Sequence, residues 1–498
     1  MTALSVGGSP SGDTELLPVA PHRASEPADR VRAARFPCFD GLRGIAVLLV
    51  VVLHSAFYSG WTDRSGLGNY IGRLEIGVSL FFLISGFLLY RPFAVSHLSD
   101  NPAPKAGNFY VRRLLRIVPA YWVALTIIVY GLRAVSMGPG WQAVVSHYTF
   151  TQIYFPSQIF TGVVQAWSLC TEMSFYLFLP LYAAMIARGS RSPSRQLIRE
   201  LSGVAVMIAI SLAFRAWSLN QPAPCGSHCF TRPALVSTMN SWLPSYIDLF
   251  ALGMLLAVAS AWFTLQKREP SWLRHPLMPW LSWAAAVATF WGVSNLGIPQ
   301  NPIYSVSPGL NIAKQTLYGV FAFFMLLPAV FGPQRQGAIR RALRWWPLMG
   351  IGMISYAIYL WHLAWITELV KWTGDQDFHV PYATMLWLVL AMSIATALVS
   401  YFAVERVALG LKVTRFSETG DGHRTYVSRT VSRMLGPVSR SWTSGRGVFR
   451  AWIERNEVGY EDTDSTDEQQ SEPWRSDSSQ SGVTAELGTT QVGGPPRR

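Results

Sequence analysis

The chain has 498 residues and a formal net charge of +13, with 50% of its residues hydrophobic and only 14% charged. A soluble domain carries about 25% charged residues, so the composition excludes an ordinary soluble domain and points to a polytopic membrane protein. The positive excess falls in short clusters between apolar segments, not along one stripe, which is a topology signal and excludes a nucleic-acid footprint.

Residues 1–35 form a polar stretch rich in Ser, Pro and Gly, without a basic start followed by an apolar core. They read as a disordered tail and not as a signal peptide. From Phe36 the chain becomes strongly apolar, and ten segments have the length and hydropathy of membrane spans. They lie at roughly 44–60, 74–90, 114–132, 173–187, 202–218, 241–263, 278–295, 313–332, 347–370 and 383–404. The prediction is an all-α polytopic membrane domain of about ten transmembrane helices over residues 36–410.

One set of loops holds sixteen basic residues: Arg91, Lys105, Arg112, Arg113, Arg116, Arg188, Arg191, Arg195, Arg199, Lys267, Arg268, Arg274, Arg335, Arg340, Arg341 and Arg344. The alternate set holds six: Arg64, Arg73, Arg133, Arg232, Lys314 and Lys371. The positive-inside rule then predicts that both termini are cytoplasmic.

The first span, read with its flank FPCFDGLRGIAVLLVVVLHSAFYSG, carries Arg43 at its inner boundary and His54 past its middle. Eleven steps are close to three helical turns, so both side chains leave the same face, roughly 16–17 Å apart along the axis. Arg43 can simply snorkel to the interface, and His54 can be a core histidine bonded to a neighbouring helix. An ionisable residue inside a membrane nevertheless marks a functional site by default, and a neutral imidazole can act as a general base.

In the third span Arg113 and Arg116, three residues apart, share a helix face at the inner boundary. As positive-inside flanking they need no further role; with Arg43 they also suit the oxygens of a phosphate-bearing donor. Ser85-Gly86 in the second span lets another backbone approach closely. Glu172, after Trp167-Ser168-Leu169, sits at the outer face, either as interface decoration or as a carboxylate that orients His54. Glu75 opens the second span, Asp248 lies inside the sixth, and Ser355 to His362 in the ninth is rich in aromatic residues of the kind found at membrane interfaces. Cys225 and Cys229 in an outer loop suit a disulfide, a metal site with His228, or free thiols, and no metal is expected.

Beyond the last span, residues 411–455 are basic, with Trp442, Phe449 and Trp452 among the arginines; from Glu461 the chain is acidic and polar. The whole of 411–498 reads as a disordered cytoplasmic tail. Its basic part can also lie on anionic inner-leaflet lipid, at about 1 kcal/mol per basic residue.

Seven strings appear in order over about residues 36–408: FDGLRGIAVLLVVVLH, GVSLFFLISGFLL, FYVRRLLRIVPAYW, WSLCTEMSFYLFLPL, LFALGMLLA, ISYAIYLWH and SYFAVE. Together they resemble the acyltransferase-3 family of integral-membrane O-acyltransferases. The resemblance implies ten membrane helices and acylation of an extracytoplasmic hydroxyl-bearing acceptor, usually a carbohydrate or related cell-envelope compound. The donor it implies is cytosolic acyl-CoA, with acetyl-CoA as the default, and the place is the plasma membrane. By the same resemblance His54 is the catalytic histidine with Glu172, and Arg43, Arg113 and Arg116 hold the donor. Two positions depart from the family pattern: Ser79 stands where many members have aspartate, and Val407 where proline is common. Intramembrane charges and ten helices equally suit a transporter or flippase of a cell-envelope glycan or lipid, although no convincing pair of broken helices or internal repeat is evident.

Overall fold

A computed structural model describes residues 36–99, 101–187, 192–221, 238–299, 306–374 and 380–408. The tails expected at 1–35 and 411–498, and the Cys225–Cys229 segment, lie outside the described residues. Every regular element among those described is helical.

The main helices are α1 (Cys38–Tyr58), α2 (Ile76–Leu98), α3 (Ala106–Thr126), α4 (Trp167–Ala187), α5 (Pro193–Leu219) and α6 (Leu243–Leu265). They continue with α7 (Met278–Ser294), α8 (Pro308–Val330), α9 (Trp346–Met353), α10 (Ser355–Trp372) and α11 (Tyr382–Ser400). Pro193, Pro244, Pro279 and Pro308 stand in the first turns of α5 to α8, where a missing N–H removes no helical bond. Both α3 and α11 run on into π-helical turns, Ile127–Gly131 and Tyr401–Glu405.

Eight helices among the described residues are long and apolar enough to cross a membrane, and α9 with α10 makes a ninth if the bent pair counts as one span. The 17-residue α7 stands where the segment 278–295 was expected, at the short end of what reaches across hydrocarbon. The segment 347–370 is not one straight span. Its two helices meet at 73°, just beyond Gly350-Ile351-Gly352, where helix propensity is low.

The core is the α2–α6 pair with α4 laid against it. A Cβ on Gly86 would stand 2.2 Å from the Phe250 carbonyl oxygen, and one on Gly253 would stand 2.2 Å from that of Leu83. Only glycine permits this crossing, the close approach expected of Ser85-Gly86. Around it Phe82, Phe87, Phe175 and Phe250 are fully enclosed, with the last two rings stacked 4.0 Å apart. Leu177 and Leu181 on α4, Val287 and Trp291 on α7, and Trp387 and Val399 on α11 are exposed. That apolar surface is what a hydrocarbon surround requires.

A second close approach positions the site. Gly44 of α1 lies against the Leu348 carbonyl oxygen, and Gly352 of α9 against that of Asp40, so α9 is pressed on the Arg43 end of α1. The break after α9 then carries α10 along the other half of α1.

Candidate active site

At the far end of α1 from Arg43, two imidazoles meet. His54 Nδ1 lies 3.1 Å from Nε2 of His362 on α10, with ring centroids 5.0 Å apart. His362 is completely enclosed, and its Nδ1 lies 2.8 Å from the Tyr359 carbonyl oxygen one turn earlier. His54 is half-buried. Behind the pair, Gln165 Nε2 donates to the carbonyls of Tyr359 (3.1 Å) and Leu360 (2.9 Å). The Tyr359 hydroxyl donates to the Gln165 carbonyl at 2.9 Å and lies 2.8 Å from the Ser168 hydroxyl. Tyr359 is thus not an interfacial aromatic. It pins α10 to the start of α4.

The carboxylate within electrostatic reach of His54 is Glu75. Glu75 accepts from Lys314 Nζ at 2.9 Å and from the Tyr318 hydroxyl at 3.0 Å. It stands four residues before Ser79, the position where the family pattern has an aspartate.

At the other end of α1, Arg43 Nη1 donates to Asp40 Oδ1 at 3.3 Å, one turn away. Arg43, Arg113 and Arg116 are close enough for each to feel the others' charge. Three guanidiniums at one end of an apolar bundle repel one another, an arrangement that an anion relieves. Two further carboxylates flank them. Glu405, on the π-turn after α11, is buried within reach of Arg116, and its Oε1 has no hydrogen-bond partner among the described residues. Glu172 lies within reach of Arg113. Its Oε1 accepts from the Ser85 hydroxyl at 2.5 Å and the Tyr176 hydroxyl at 2.6 Å, tying α4 to α2. Tyr356 closes the same region by donating to the Ile117 carbonyl at 2.8 Å.

The predicted site residues therefore gather at two levels. Arg43, Arg113 and Arg116 come together with Glu172 beside them, while His54 stands apart toward the other end of α1. His54 Nδ1 is bonded by His362, and Glu172 accepts from Ser85 and Tyr176. Sequence reasoning placed His362 in a span and Glu405 at the inner boundary but gave neither a role, and it passed over Tyr176. The signal for His362 was present: a second histidine in an apolar helix, ending the string ISYAIYLWH. Among the described residues no group of three His, Cys, Asp or Glu side chains is placed to hold a metal ion.

A family described as an acyltransferase domain, acyltransferase-3, matches residues 36–405. The chain is 27% identical over 348 residues to "Acyltransferase MdmB" of Streptomyces mycarofaciens, covering 66% of this chain and 79% of that protein. It is 25% identical over 386 residues to "Putative membrane-bound transacylase BcsY" of Komagataeibacter xylinus, covering 74% and 82%. It is 24% identical over 385 residues to "Putative O-acetyltransferase SACOL0978" of Staphylococcus aureus (strain COL). That match covers 74% of this chain but 56% of the relative, so the chain spans little more than half of that longer protein. No solved structure matches. The helical architecture and a family match over residues 36–405 lead to one assignment: this chain is a membrane-bound acyltransferase of the acyltransferase-3 family, transferring acyl groups other than aminoacyl groups.

Proposed function

We propose that the protein takes an acyl group, acetyl by default, from cytosolic acyl-CoA and places it on a hydroxyl of an extracytoplasmic carbohydrate, glycolipid or related cell-envelope acceptor. One observation carries the reading: three mutually repelling arginines at one end of α1, and His54 three turns along the same helix. The arginines hold the phosphates of CoA, where guanidinium forks match phosphate oxygens. The pantetheine arm then runs along α1 and presents the thioester near His54.

His54 removes the proton of the acceptor hydroxyl, and the oxygen attacks the thioester carbonyl. A C–O bond forms, the C–S bond breaks, and the CoA thiolate takes back the proton held by His54. In a relay variant His54 itself is acylated first and then yields the group to the acceptor. Glu172 is read as the support of this path: it fixes α2 to α4 beside Arg113.

The same reading puts both termini on the cytoplasmic face of the plasma membrane, with the basic stretch 411–455 against anionic lipid. A transporter would need no acyl chemistry, and family membership removes the ground for that reading.

The test uses sealed vesicles from cells expressing the protein, right-side-out and inverted, given radiolabelled acetyl-CoA. Label should enter the envelope fraction only where the donor reaches the cytoplasmic face, and His54→Ala should abolish it. Equal incorporation in both orientations, or undiminished incorporation by His54→Ala, would contradict the proposal.

A further inference from the structure

We infer that His362 is a positioning residue that holds His54 in the one neutral tautomer able to act as a base toward the substrate. The inference rests on the reading of His54 as the base, and it follows from which atoms can donate. The Tyr359 carbonyl oxygen can only accept, so His362 donates to it through Nδ1–H, at 2.8 Å. In a neutral imidazole the other nitrogen is then an acceptor. His362 Nε2 is the atom that faces His54 Nδ1 at 3.1 Å. Toward His362, His54 therefore donates through Nδ1–H and keeps the lone pair on Nε2, while the Val50 carbonyl one turn earlier on α1 also accepts from the ring.

The lock is built rather than incidental. The Tyr359 carbonyl that fixes His362 is itself held by Gln165 Nε2 at 3.1 Å, and the Tyr359 side chain is held by Gln165 and Ser168. His362 is fully enclosed, whereas His54 remains half-buried, so only the second ring is open to a substrate. The 73° break before α10 brings this helix along α1 so that the rings meet.

A neutral orienting group also suits its depth. A carboxylate in His362's place would leave a buried, uncompensated charge whenever His54 is neutral, which such surroundings disfavour. His362 accepts the Nδ1–H bond without adding charge. Glu75, the carboxylate within reach, is held by Lys314 and Tyr318, and Glu172, which stands apart, is held by Ser85 and Tyr176. During transfer His54 Nε2 gains the acceptor's proton while its Nδ1–H bond to His362 is kept. The imidazolium so formed stays oriented until it returns that proton to the departing thiolate.

The test needs no substrate in its first arm. Full-length protein with 15N-labelled histidines is reconstituted in lipid nanodiscs, and the His54 signals are identified by their loss in His54→Asn. We expect His54 protonated on Nδ1 in the wild type, and a mixture of both tautomers in His362→Phe, which keeps an aromatic ring but no acceptor. An Nε2–H form in the wild type, or an unchanged tautomer in His362→Phe, would overturn the inference. In the second arm, His362→Phe should lower the kcat of acetyl-CoA turnover about 100-fold, the low end of what a positioned base contributes, with KM within about twofold. His362→Gln should recover much of that loss, because its amide oxygen can accept from His54. A His362→Gln no better than His362→Phe would count against the lock. Full turnover by His54→Ala would instead sink the base assignment on which the inference stands, so the two failures are separable.

Discussion

Two groups of intramembrane charge in this molecule look alike by composition and differ in physics. On α5 and α6, Arg215 Nη2 donates to Asp248 Oδ2 at 2.6 Å and the Ser211 hydroxyl donates to Oδ1 at 3.0 Å. Both charged residues are buried, at 3% and 5% exposure, and they largely compensate each other. Around α1, Arg43, Arg113 and Arg116 stand within reach of one another, with Asp40 bonded to Arg43, Glu172 within reach of Arg113 and Glu405 within reach of Arg116. The first group is closed and tells of packing. The second crowds three cations against one another at one end of α1, a repulsion that an anionic ligand relieves.

Substitutions in each group should therefore separate chemistry, stability and binding. The largest effect belongs to neither group: His54→Ala should cut turnover about 10²–10⁴-fold, the range for loss of a general base, with donor binding kept. Next, Asp248→Ala leaves Arg215 unpaired and should cost about 3–5 kcal/mol of stability, read as a lower unfolding temperature in detergent. The specific activity of the surviving protein should be unchanged, and the double replacement Arg215→Met/Asp248→Leu should restore most of the stability. Arg113→Ala should weaken acetyl-CoA binding about 10- to 100-fold, as for one or two charge-assisted hydrogen bonds of about 1.5–3 kcal/mol, while its unfolding temperature stays near wild type. If Arg113→Ala destabilised the fold as Asp248→Ala does, the contrast between the two groups would collapse. The smallest effect is expected of Glu172→Gln, which can still accept from Ser85 and Tyr176. Its KM for acetyl-CoA should change less than about tenfold, by isothermal titration and steady-state rates.

Much of this was legible in the sequence because it depends on spacing along one helix. Arg43 and His54 share a face of α1, and Arg113 and Arg116 share one on α3, for reasons of periodicity alone. Ser85-Gly86 announced a close crossing, and the Gly86–Phe250 contact is that crossing. Periodicity does not say which helix a face will meet. His54 and His362 are 308 residues apart, and the contact depends on a bend at Ile354 that the apolar pattern of 347–370 conceals. Glu172 shows the same limit: it read as an outer-face residue, but its partner Ser85 lies 87 residues away inside another helix, and Arg113 is within its reach. Glu75 read as a residue that opens α2, since its pairing with Lys314 spans 239 residues.

The account turns on a donor that is held by its phosphates at one end of α1 and reacts at the other. The most direct measurement is photolabelling of purified protein in nanodiscs with an acyl-CoA whose acyl group carries a diazirine, followed by mass spectrometry of the labelled peptides. The account predicts labels on α1 around His54 and on α10 around Tyr359 and His362, suppressed by excess acetyl-CoA. Labels confined to Asp40–Arg43 and the Arg113–Arg116 turn, competed equally well, would place the acyl group at the arginines and contradict it.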